Sequence, residues 1–149
     1  EVGETIDVTI EGIESTIKLT GKVDRIDQLN GVTRIIDYKS GKVEQNKVEI
    51  TNWEDLTTDY TKYSKSFQVL CYAYLMHKKK HIELPVEAGI ISFKNLNAGV
   101  LKFAKKVPGS KTKSQSITDE TLHNFEVELK NLILEIFNTD IDFIEKELD

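Results

Sequence analysis

The sequence predicts a mixed α/β fold in the order β-β-β-α-β-(β)-α, and three observations carry that expectation. Asn30-Gly31 separates two segments rich in Ile and Val, a strong hairpin signal because both central residues of a type I′ turn need positive φ. Residues 63–77, YSKSFQVLCYAYLMH, contain no Gly or Pro and are apolar almost all round, as a buried helix would be. From Thr118 onward, Leu122, Phe125, Leu129, Leu132, Ile133, Ile136 and Phe137 recur at helical spacing.

Taken in order, TIDVTIEG alternates through Ile6, Val8 and Ile10, and STIKLTGKVDRIDQL continues in extended style to the Asn30-Gly31 turn. VTRIIDYKS is the returning strand. Residues 41–62 are polar and irregular and are expected to form a loop with a short turn around Trp53. The buried helix ends in Lys78, Lys79 and Lys80, cations suited to the negative end of its dipole. After Pro85, VEAGIISFKN reads as a core strand and AGVLKFAKKV as an edge strand. Thr118, Asp119 and Glu120 mark the start of the last helix.

The 149 residues are 39% hydrophobic and 30% charged, so one domain spanning 1–149 with its own core is expected. Glu1 stands where a complete chain would carry Met, and the segment is expected to come from a longer protein. No apolar run approaches the roughly 20 residues that cross a bilayer, which excludes a membrane-spanning helix. The lone Cys71 can make neither an internal disulfide nor, by itself, an iron–sulfur or zinc site, in keeping with a cytoplasmic protein. Charge is divided: residues 119–149 carry ten acids and two lysines, leaving 18 basic against 15 acidic residues before them. KFAKKVPGSKTK, with Lys102, Lys105 and Lys106 among its five lysines, is either a phosphate-backbone contact or a solvated loop.

A two-residue turn at Asn30-Gly31 fixes a register that sets Asp24 across from Asp37 on one sheet face, with Lys39 two residues along on the same face. Asp27 then meets Arg34 on the other face as an ordinary ion pair. Facing carboxylates repel unless a cation sits between them or water screens them. Mg²⁺ commonly takes one or two carboxylates and completes its shell with water and phosphate oxygens. The alternative is a solvated sheet face. Gln68 and Tyr72, at i and i+4, share one face of the apolar helix; they either address a phosphate or are satisfied at the core edge. The same register brings Lys22 opposite Lys39, and Lys65 lies one turn before Gln68; both are candidate phosphate contacts. Tyr60, Tyr63, Tyr72 and Tyr74 are either base-stacking or packing residues.

Together, GKVDRID, IIDYKSG and FQVLCYAYL resemble the PD-(D/E)XK nuclease superfamily, and within it the RecB/AddB-like nuclease domains of helicase–nuclease recombination and repair proteins. The resemblance implies a restriction-endonuclease-like core and Mg²⁺-dependent DNA hydrolysis, with Mn²⁺ able to substitute. It implies Asp24, Asp37 and the Tyr38 carbonyl as metal ligands, Lys39 as the active-site lysine, and Gln68 and Tyr72 in support. DNA is the implied partner, with a helicase in the parent chain or a partner subunit. Two departures stand out. The family's usual N-terminal helix is missing from this chain, and the cysteines of an iron–sulfur cluster are lacking in this segment. A catalytically incomplete module for DNA binding or complex assembly is therefore the alternative.

Overall fold

A computed structural model describes residues 1–145. The strands are β1 (Val2–Val8), β2 (Ile17–Val23), β3 (Arg25–Leu29), β4 (Val32–Lys39), β5 (Glu49–Ile50), β6 (Glu87–Ser92), β7 (Val100–Lys102), β8 (Ala104–Lys106) and β9 (Lys113–Ser114). The helices are α1 (Tyr60–Lys78) and α2 (Asp119–Phe137). β1 and β2 form an antiparallel hairpin, β3-β4-β6-β7 a mixed sheet, and β5-β8-β9 a small third sheet. The architecture is the mixed α/β one expected.

The β3–β4 hairpin follows its turn chemistry. Asn30 and Gly31 take φ of 52° and 80°, and the ladder runs from Leu29↔Val32 to Arg25↔Ile36, the anticipated register. β4 then pairs in parallel with β6, the connection between them passing through α1. Ile35 and Ile90, almost wholly buried, lie on the sheet face shared with Asp37. α1 packs against β2, β4 and β6, contributing Val69, Leu70, Ala73 and Leu75 to the same core.

Asp59 caps α1, its side chain accepting from the Lys62 N–H at 3.0 Å, so the helix begins at Tyr60 rather than Tyr63. Thr118 and Thr121 form a reciprocal capping box at the start of α2. α2 lies on α1, with Phe125 edge-on to Phe67 at 5.3 Å and to Tyr74 at 5.7 Å.

Three segments depart from the sequence reading. Residues 15–29 are not one continuous strand: the chain bends at Asp24, leaving the β1 hairpin for the central sheet. AGVLKFAKKV is likewise two strands divided at Phe103, β7 beside β6 and β8 beside β5. The polar 41–62 segment buries Val43, Val48, Ile50 and Leu56 and contains β5 and two short 3₁₀ turns, Gln45–Val48 and Trp53–Thr57. Isolated apolar residues anchor it, too sparse to give a period. The acidic run continues past the described residues at 146–149. No helix among those described is long and apolar enough to cross a membrane.

Candidate active site

β4 and β6 are parallel, and their carboxyl ends, where open α/β sheets collect their ligands, bring Lys39 beside Ser92. Asp37 is only 5% exposed, a charged residue enclosed on the core face of β4. The Lys39 Nζ lies 2.8 Å from Asp37 Oδ2 and donates to Gln68 Oε1 at 2.7 Å. Gln68 in turn donates from Nε2 to the Tyr72 hydroxyl at 2.8 Å. Asp24, at the bend between β2 and β3, accepts the Tyr38 N–H through Oδ2 at 2.9 Å. Its carboxylate thereby satisfies a backbone donor beyond the last ladder pair of β3. Asp24, Asp37, Lys39, Gln68 and Tyr72 thus come together at one strand end.

Burial pushes the Asp37 carboxyl above the usual range; the Lys39 ammonium opposes the shift and the facing Asp24 carboxylate reinforces it. Asp37 Oδ2 is buried and receives no directed hydrogen bond, although the ammonium is near. Burial also raises the Tyr72 phenol, partly offset by the Gln68 hydrogen bond, so the hydroxyl keeps its proton at neutral pH.

A family model described as the PD-(D/E)XK nuclease superfamily matches residues 1–148. The chain belongs to the PD-(D/E)XK nuclease superfamily. Neither the curated proteins nor the solved structures compared with it gave a match. PD-(D/E)XK membership makes nuclease-type chemistry the general expectation, and divalent metals are typical of the superfamily.

The residues present in this PD-(D/E)XK chain fit such a cation. The Asp24 carboxylate faces that of Asp37, whose buried Oδ2 has the Lys39 ammonium beside it and no directed hydrogen bond. In an extended strand a residue's N–H and C=O point to the same edge, so the Tyr38 carbonyl faces the Asp24 side. The next carbonyl, that of Lys39, turns to the other edge and accepts the Phe93 N–H at 2.9 Å. Among the described residues no three His, Cys, Asp or Glu side chains form a closed metal cage. An ion here would draw its remaining ligands from water and substrate oxygens, as Mg²⁺ usually does.

Gly21 opens the GKVDRID motif and has a packing role there, whereas Ser92 and Asn95 are supporting residues that the sequence reading does not single out. A Cβ on Gly21 would lie 2.6 Å from Leu75 Cδ1 and 3.2 Å from the Tyr72 ring, so glycine lets β2 approach α1 where Tyr72 is seated. Buried Ser92 donates to the Gly41 carbonyl at 2.7 Å and accepts the Val43 N–H at 3.1 Å, pinning the loop after Lys39. Asn95 Nδ2 adds a bond to the Val43 carbonyl at 2.9 Å. Ser92 had one signal in the sequence, a polar residue closing the apolar run of VEAGIIS.

The lysines divide. Lys65 is half-buried, one turn before Gln68 on α1. Lys22 does not face Lys39: β2 pairs with β1, placing Lys22 opposite Gly3 and in an ion pair with Glu1. Lys102 lies in the row of Gly89 and Ile36, on the face opposite Asp37, and pairs with Glu87 at 2.7 Å. Lys106 is 3.8 Å from Glu49, and Lys105 donates to the Lys106 carbonyl at 3.0 Å. Of the tyrosines, Tyr63 and Tyr74 are core residues, the Tyr74 hydroxyl donating to Glu126 at 2.6 Å. Burial alone raises the Cys71 thiol to about 11, as for a packing residue. A cavity of about 620 Å³ between β1, α1 and α2 contains none of the site residues, and its lysines are paired with Asp7, Glu4 and Glu126.

Proposed function

We propose that this chain is a Mg²⁺-dependent deoxyribonuclease domain that hydrolyses phosphodiester bonds at the Asp24–Asp37–Lys39 cluster. The observation that carries the proposal is the enclosure of Asp37 opposite Asp24, with an oxygen lacking any hydrogen bond and an ammonium alongside. Asp24, Asp37 and the Tyr38 carbonyl would hold the cation. Bound there, Mg²⁺ or Mn²⁺ would polarise the scissile phosphate and offset the charge that builds on it.

The side chains supply the rest. Lys39 brings a positive charge to the oxygens on which negative charge develops, and Gln68 Oε1 fixes the direction of its Nζ. Gln68 spends its amide N–H on Tyr72, leaving the phenol proton free to reach a phosphate oxygen. Lys65, a turn away, contacts a neighbouring phosphate. Asp37 would be worth enclosing only where a cation is to be held, since a buried carboxylate otherwise costs stability.

The narrower part of the proposal is a RecB/AddB-like domain acting in the cytoplasm with a helicase of the parent chain or a partner subunit, on the strength of the three motifs in order. An alternative, a module that binds DNA without cutting it, is favoured by one observation: among the described residues the site supplies two carboxylates and no third ligating side chain. Incubating the protein with linear and single-stranded DNA in Mg²⁺ or Mn²⁺ separates the two. Cleavage abolished by Asp37→Asn and by Lys39→Ala is expected, whereas cleavage that survives both changes would move the chemistry elsewhere.

A further inference from the structure

The carboxyl edge of the central sheet has a second surface that the proposed chemistry does not use. Phe93 directly follows β6 and is 55% exposed. Its ring stacks on that of Tyr38, with centroids 5.7 Å apart and planes 24° from parallel. Tyr38 stands between Asp37 and Lys39 in β4, so its side chain leaves the strand on the opposite face. One strand end therefore presents charged groups on one side and a pair of stacked aromatic rings on the other.

The pair is held in place by the backbone. The Phe93 N–H bonds the Lys39 carbonyl at 2.9 Å, extending the β4–β6 ladder to the ring-bearing residue itself. The Asn95 N–H returns to the Ser92 carbonyl at 3.0 Å, and its side chain bonds Val43 at 2.9 Å. Lys94, the next residue in the chain, is exposed as well. A fixed, solvent-facing ring next to a phosphate-directed site is the combination by which proteins hold unpaired bases: the backbone is met by charge and the base by stacking. Within a duplex the neighbouring base pairs already cover both faces of each base. The ring can therefore receive a base only from a single strand or an opened end.

We infer that Phe93, backed by Tyr38, is the platform for an unpaired nucleobase of a strand that crosses the carboxyl edge of the sheet from the Lys39 side, and that it makes single-stranded DNA the preferred substrate. The inference rests on the nuclease reading above for its ligand, and its test does not require cleavage. An oligodeoxynucleotide carrying 2-aminopurine would be titrated with the protein in EDTA, with anisotropy reporting affinity and fluorescence quenching reporting stacking. The parent protein is expected to bind the single strand and quench the probe. Phe93→Ala should weaken binding about tenfold, the loss of one base–aromatic stack, and should abolish quenching. Phe93→Leu keeps an apolar group against Tyr38 and should lose as much, while Phe93→Trp should restore both signals. The inference is overturned if the parent fails to bind the single strand, if Phe93→Leu quenches like the parent, or if Phe93→Ala weakens binding to a blunt duplex equally. Cleavage by Asp37→Asn is measured separately: activity there with stacking intact would sink the catalytic reading and leave the platform standing.

Discussion

Asp27 and Asp37 lie on the two faces of one hairpin, each with a cation beside it, and they are held in opposite ways. Arg34 donates to Asp27 from Nε at 2.7 Å and from Nη2 at 2.8 Å, and Arg25 adds a contact at 2.7 Å. The Arg34 hydrogen bonds hold that carboxyl below the usual range despite some burial. Asp37 has a single ammonium, a facing carboxylate and an enclosed oxygen with no hydrogen bond, and burial holds it above that range. Planar bidentate pairing at the rim is what a structural ion pair requires. Incomplete satisfaction in an enclosed place is a strained arrangement, of the kind that accumulates at functional sites.

The comparison is broken most sharply by charge removal under turnover. Asp37→Asn should lower DNA cleavage by about a thousandfold or more, while Asp27→Asn keeps it; steady-state rates on one labelled substrate measure both. Gly21→Val tests whether the seat of Tyr72 belongs to the same unit. Its side chain would push on Leu75 and the Tyr72 ring, costing about 1–3 kcal/mol in urea unfolding and lowering kcat through the Lys39–Gln68–Tyr72 chain.

Asp27→Asn itself should cost about 1 kcal/mol, read as an earlier urea midpoint. Because the folded state depresses the Asp27 pKa, its stabilisation is present above the unfolded value of about 4 and disappears as pH falls through the folded one. The smallest effect has the opposite sign. Folding raises the Asp37 pKa, so ionising it works against the fold as pH rises, and in chelator Asp37→Asn should stabilise the protein by up to about 1 kcal/mol. Thermal melts of the two variants at neutral pH should bracket the parent.

The part of this contrast readable in the sequence is the part governed by local rules. Asn30-Gly31 dictates a turn with two positive φ values, the turn dictates the register, and the register puts Asp27 against Arg34 and Asp37 beside Lys39. Helical spacing and the Thr118 cap located α2 for the same reason. What stayed hidden depends on tertiary choices. No Gly or Pro marks the bend at Asp24, so the sequence reads β2 as running on into β3 and sets Lys22 against Lys39, although the strand of Lys22 belongs to another sheet. The change of sheet at Phe103 and the seating of Gly21 on α1 follow from long-range packing, which periodicity does not encode. Phe93 sits in a connection, where neither period applies, and the sequence points instead to the tyrosines of α1.

On the proposed reading the Asp37 side of the hairpin holds a cation and the Asp27 side does not. Calorimetric titration of Mn²⁺ into the parent protein, Asp27→Asn and Asp37→Asn tests it without any choice of nucleic acid. One saturable site is expected in the parent and in Asp27→Asn, with its loss in Asp37→Asn. Equal binding in Asp37→Asn and the parent would contradict it.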